Sequence, residues 1–81
     1  MKLPRDIGGS DLAELLSRHG YTIARQTGSH LRLRSVLKTE VHNLTIPTHK
    51  PLKVGTLSAI LSDVAEHLGM DKRELIERLF E

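Results

Sequence analysis

A histidine and two arginines alternate along one short segment, His30-Leu31-Arg32-Leu33-Arg34, directly after Gly28-Ser29. In an extended chain successive side chains face opposite ways. Leu31 and Leu33 therefore take one face, and His30, Arg32 and Arg34 the other. An imidazole, with an ordinary pKa of about 6.5, takes or gives a proton near neutral pH. Guanidiniums hold phosphate oxygens by paired hydrogen bonds and stabilise charge developing on phosphorus. On an RNA substrate the 2′-hydroxyl is an internal nucleophile, so such a set needs no metal ion. By itself the pattern is also the ordinary open side of a half-buried strand, and it marks a candidate only.

A second basic group follows in Thr48-His49-Lys50-Pro51-Leu52-Lys53, which leads into a helix expected to start near Thr56. Unpaired N–H groups and the helix dipole favour an anion there, and His49, Lys50 and Lys53 would deepen that preference. A solvated basic loop is the plain alternative. His19 and His67 fall near helix C-termini, where a structural role is expected. His42 and His49 are seven residues apart, which is no metal-ligand spacing, and the chain has no His-Glu-x-x-His pattern. No metal or cofactor is expected.

The elements that must position these residues can be read from periodicity. Residues 10–19 form a helix capped by Ser10, with Leu12, Leu15 and Leu16 on one face and Gly20 as its stop. Residues 21–27 and 30–35 read as strands of a hairpin around Gly28-Ser29. A two-residue turn would pair Thr27 with His30 and turn Ile23 away from Leu31 and Leu33. A three-residue loop with Gly28 at positive φ sets Tyr21 and Ile23 beside those leucines, with Arg25 among them. Burial of Ile23, worth about 1.5–3 kcal/mol, favours the second arrangement.

After a connection at 36–41, residues 41–48 make a third strand, with Leu44 and Ile46 pointing one way and Pro47 at its end or on an edge. Leu57, Ile60, Leu61, Val64, Ala65 and Leu68 form the apolar stripe of the clearest helix, with Thr56 as its cap and Gly69 as its left-handed stop. Asp71 and Glu74 open a last helix with Leu75, Ile76, Leu79 and Phe80 on its apolar side. The order α-β-β-β-α-α predicts an α+β fold: a three-stranded antiparallel sheet whose apolar face helices cover.

Eighty-one residues suffice for one domain, 1–81, and not for two separate cores. With no cysteine, disulfides and thiolate metal sites are excluded. The start of the chain has no signal-peptide pattern and no stretch is apolar enough to span a bilayer, so a cytoplasmic protein with no membrane role is expected. Net charge is +2, but it is unevenly spread. Residues 18–53 carry Arg18, Arg25, Arg32, Arg34, Lys38, Lys50 and Lys53 against Glu40 alone, while residues 63–81 are mostly acidic. A basic middle suits a polyanion. Tyr21 and Phe80 are the only aromatic residues, too few for a platform on which bases stack.

The segment Arg25-Gln26-Thr27-Gly28-Ser29-His30-Leu31-Arg32-Leu33-Arg34 resembles the HicA (YcfA-like) toxin family. So do Leu44-Thr45-Ile46-Pro47-Thr48-His49, Leu52-Lys53-Val54-Gly55-Thr56-Leu57, Ile60-Leu61, the opening Leu3-Pro4-Arg5-Asp6-Ile7 and Gly20-Tyr21, in order and across nearly the whole chain. The resemblance implies a double-stranded-RNA-binding-like fold and a ribonuclease that cleaves mRNA. It also implies a HicB-type antitoxin that covers the active site. The family's catalytic histidine falls on His30, and Gly28-Ser29 and Lys53–Thr56 match its turn and helix-start segments. The extension Asp71–Glu81 departs from compact members and suits partner contacts.

The expected site is thus His30 as catalytic residue, with Arg25, Ser29, Arg32, Arg34, His49, Lys50, Lys53 and Thr56 on the RNA. The toxin is expected to be a monomer alone and a hetero-oligomer with its antitoxin. Two other readings use the same surface: a non-catalytic RNA-binding module, and a domain whose basic face serves only an acidic antitoxin. A DNA reader is disfavoured, because no helix-turn-helix pattern with a basic recognition helix is present.

Overall fold

The computed structural model describes residues 3–37 and 39–80. Lys38 and Glu81, counted above in the basic middle and the acidic end, and the first two residues lie outside that range. Among the described residues the order is α1 (Gly9–Ser17), β1 (Thr22–Gln26), β2 (His30–Leu37), β3 (Glu40–Pro47), α2 (Val54–Leu68) and α3 (Lys72–Phe80). The strands form one antiparallel sheet in the order β1-β2-β3. This is the expected α+β architecture, with β2 in the middle and helices on one face.

Alternation along β2 and β3 decides which face that is. Leu31 and Leu33 of β2 stand opposite Ile46 and Leu44 of β3, and all four are buried. They pack with Leu12 and Leu16 of α1 and with Leu57, Leu61 and Val64 of α2 in one core. Leu75, Ile76 and Leu79 of α3 join that core, while Phe80 is only partly buried against it. The opposite face carries His30, Arg32 and Arg34 from β2 and Thr45 and Asn43 from β3, all exposed.

Several boundaries differ from the sequence expectation, each for a local reason. The first helix starts at Gly9 with Gly8 as cap, one residue before Ser10 would begin it. Asp11 accepts the Gly8 N–H at 3.0 Å, and Gly9 donates to the His49 carbonyl at 3.0 Å. Glycine is needed at position 9, since a Cβ there would run into the carbonyl of Pro47. The helix ends at Ser17 and the chain turns through Gly20 at φ +95°, a conformation that favours glycine. Strand β2 runs on to Leu37 and β3 begins at Glu40, because Val36 and Val41 pair across the ladder where a connection was expected.

The hairpin corrects the preferred register. Gly28 does not adopt positive φ, and Thr27 donates to the His30 carbonyl at 2.9 Å, so the turn is the two-residue one. The parity is restored by a bulge instead. Ile23 pairs with Leu33, the register slips by one at Ala24, and Arg25 pairs with Arg32. Tyr21 is buried as expected, but Ile23 remains 50% exposed on the edge strand. Arg25 therefore joins the open face, and no guanidinium has to be desolvated under the helices.

Helix α2 also departs from the expected start. It starts at Val54 with Lys53 as its cap residue, two positions before the expected start, and Thr56 lies inside the first turn. Leu52, buried, and the Leu52 N–H bonded to the Ile7 carbonyl at 2.8 Å anchor the chain just before the helix. No side chain caps this end. Its other end stops at Gly69 in the left-handed conformation, as expected. Asp71 Oδ1 accepts the Arg73 N–H at 2.8 Å at the start of α3.

Candidate functional site

His30 is the first residue of β2, exposed, beside the turn Gly28-Ser29. Thr27 fixes its backbone: the His30 N–H donates to Thr27 Oγ1 at 3.1 Å, and Thr27 Oγ1 to the His30 carbonyl at 3.2 Å. The turn is also held from the residue after β3, where Thr48 donates its N–H to the Ser29 carbonyl and its hydroxyl to the Gly28 carbonyl. Ser29 Oγ lies 2.9 Å from His30 Nδ1. That hydrogen bond occupies Nδ1 and leaves Nε2 as the nitrogen available to a ligand.

Two cavities share His30 in their linings. The first, of about 230 Å³, lies on the open sheet face between Arg25, Thr27, His30, Arg32 and Thr45. The second, of about 580 Å³, is a groove between β3 and α2 that runs from His30 and Pro47 past Thr56 and Ala59 to Asp63. Beyond Pro47 a third cavity of about 360 Å³ is lined by His49, Lys53 and Thr56.

The structure thus gathers His30, Arg25 and Arg32 around one cavity, with Ser29 behind the imidazole. Thr56 bridges the groove and the loop cavity that holds His49 and Lys53. Arg34 lies two residues further along the open face, opposite Asn43 and Thr22, and lines neither cavity at His30. Lys50 is drawn the other way, with Nζ 3.8 Å from Asp11 of α1. Among the described residues no group of three or more His, Asp or Glu side chains is placed to hold a metal ion.

A second polar cluster, on the covered side, was not visible in the sequence. The Tyr21 hydroxyl lies 2.7 Å from His42 Nδ1, and the rings of His42 and His67 stack with centroids 4.9 Å apart. His67 Nε2 is 3.1 Å from Ser35 Oγ, a buried hydroxyl. Burial, and then the Asp63 carboxylate, push the Tyr21 phenol up to about 12, so it stays protonated and donates to His42. Burial, and then His67, lower the His42 imidazole below its ordinary value, against the opposing pull of Asp63 and Glu66. These residues are brought together from three elements and from the residue before β1, so no local spacing signals them. His67 does have the structural role expected for it.

A family model described as HicA toxin of bacterial toxin-antitoxin matches residues 9–69, well over half of the chain. The chain belongs to that family. It is a toxin of a toxin–antitoxin pair, and its partner is an antitoxin. The match spans α1 through α2 and the Gly69 stop, and leaves α3 outside. The comparisons with curated proteins and with solved structures each found no match. No helix among the described residues is long and apolar enough to cross a membrane.

Proposed function

We propose that this toxin is an endoribonuclease that cleaves mRNA without a metal ion, with His30 as its catalytic residue, in a single HicA-like domain spanning residues 1–81. The observation that supports this reading best is the position of His30. Its imidazole is exposed, fixed through Nδ1 by Ser29, and stands where an arginine-lined cavity meets a groove.

In this reading the scissile phosphate occupies the cavity of Arg25 and Arg32, whose guanidiniums hold its oxygens. With His30 Nδ1–H donating to Ser29 Oγ, the Nε2 lone pair accepts the proton of the 2′-hydroxyl. The 2′-oxygen attacks the adjacent phosphorus and the bond to the 5′-oxygen breaks. The products are a 2′,3′-cyclic phosphate and a 5′-oxygen protonated from solvent. Charge that builds on the non-bridging oxygens is stabilised by the two arginines. Arg34, His49, Lys50, Lys53 and Thr56 serve RNA on either side of the cut. The free toxin acts as a cytoplasmic monomer, and a HicB-type antitoxin binds it into a hetero-oligomer.

The test is cleavage of a labelled RNA by purified toxin in EDTA, with product ends mapped. Wild type is expected to cut and to leave a 2′,3′-cyclic phosphate. His30→Ala should cut about 10²–10⁴-fold more slowly while melting at the same temperature. Loss of cutting in EDTA would overturn the metal-free chemistry. Equal cutting by His30→Ala would overturn the catalytic assignment.

A further inference from the structure

The two cavities that meet at His30 differ in charge. All the ionisable side chains of the smaller one are Arg25, Arg32 and His30, whereas the groove between β3 and α2 ends at a carboxylate, Asp63. A phosphate belongs in the first and is repelled from the far end of the second. The groove has apolar walls from Leu44, Pro47 and Ile60, with Thr45 and Thr56 among them and the small Gly55 opening its side. That lining suits a flat, neutral ring with polar edges. From Thr56 to Asp63 the helix advances about 10 Å, at 1.5 Å per residue. This is the scale of a base laid out from a phosphate held at its other end.

Asp63 is exposed and no described cation lies within ion-pair distance of it, so its carboxylate is open to a ligand. A carboxylate is an acceptor with two oxygens. Among the RNA bases guanine alone offers two adjacent donors, N1–H and the 2-amino group, along one edge. Adenine and cytosine set an acceptor beside their amino group, and uracil sets a carbonyl on each side of its single N–H.

We propose that the groove between β3 and α2 holds the base beside the scissile phosphate, and that Asp63 selects guanine there. The inference rests on the ribonuclease reading above and adds the sequence preference of the cut. The second cavity is then a specificity pocket, and Asp63 a specificity residue that never touches the reacting atoms.

The experiment measures binding of heptauridylate, and of the same heptamer with one central guanosine, to toxin carrying His30→Ala so that the RNA survives. Fluorescence anisotropy should show the guanosine heptamer bound on the order of tenfold more tightly, the discrimination that one bidentate contact to a base supplies. Asp63→Asn and Asp63→Ala should remove that ratio while leaving heptauridylate bound as well or better, since an anion has been removed. Gly55→Gln is a second variant, because Gly55 lines the groove and a Cβ there meets nothing within 4 Å in the fold. It should also level the two affinities. Cut sites of active toxin on a mixed-sequence RNA should lie beside guanosine, and lose that bias in Asp63→Ala. Equal binding of the two heptamers, or a preference that survives both Asp63 substitutions, overturns the inference while leaving the nuclease intact. If RNA is neither bound nor cut, the ribonuclease reading falls and this inference with it.

Discussion

Thr48 holds Ser29 in place across the end of the sheet, its backbone N–H donating to the Ser29 carbonyl at 3.0 Å. Its hydroxyl reaches the Gly28 carbonyl at 3.2 Å. The turn that supports the His30 imidazole is therefore fastened to the end of β3 as well as to its own strands. Thr48→Val keeps the β-branched shape and removes the hydroxyl bond. It is expected to cost about 1 kcal/mol of stability, read by urea denaturation.

Ser29→Ala removes the hydrogen bond to His30 Nδ1 and nothing from the core. The expected result is a fall in kcat of about 10-fold, the rate equivalent of one hydrogen bond of about 1.4 kcal/mol, with KM and melting temperature nearly unchanged. A rise in KM at constant kcat would show instead that Ser29 serves only RNA binding.

Arg25 and Arg32 face each other across the β1–β2 ladder and line one cavity. Each arginine replaced by alanine should weaken RNA binding and reduce the slope of log affinity against log salt by about 0.7, the value for one phosphate on a single strand. Lys50→Ala should change the slope less, because Lys50 is already turned toward Asp11.

Acid should loosen the fold through His42. His42 is lowered in the folded state below its ordinary value, so an unfolded chain binds more protons between the two pKa values. Stability contributed by neutral His42 is full above about pH 6.5 and is lost as pH falls through the lowered folded value. His67 stacks on the ring and Tyr21 donates to it, while Asp63 and Glu66 of α2 oppose the shift and Glu40 lines a cavity with His42 and His67. Thermal melts from pH 7.5 to 5 should show a smaller acid loss in His42→Gln, which keeps an acceptor for Tyr21. An unchanged slope would remove His42 from this role.

Glycines 9 and 28 should behave oppositely. Gly9→Ala forces a Cβ against the Pro47 carbonyl and is expected to cost about 1–3 kcal/mol or more. Gly28→Ala meets nothing within 4 Å and should be tolerated in a chemical-denaturation comparison of the two.

What could be read from the sequence follows the range of the forces involved. The stripe Leu57–Leu68 and the alternation His30–Arg34 are set by neighbours a few residues away, and the helix, the strand and the two faces came out as those periods imply. The caps at Ser10 and Thr56 did not, because contacts from Pro47, His49 and Ile7 decide where those helices begin. The site was legible in part for the same reason. His30, Ser29 and Arg32 are adjacent in sequence, but Arg25 joins them only because the turn has two residues and not three, and Asp63 reaches the groove from a helix more than thirty residues away. The His42–His67 stack, formed from β3 and α2, leaves no trace in spacing at all.

The extra residue at Ala24 divides β1 into halves that obey opposite rules of in and out. Upstream the strand keeps the parity of the buried Tyr21, and downstream it lends Arg25 to the solvent side. Tyr21 and Arg25 are four residues apart and would share a face in an unbroken strand, so the buried anchor and the exposed cation coexist only because one alanine with no reactive group is left out of the pairing.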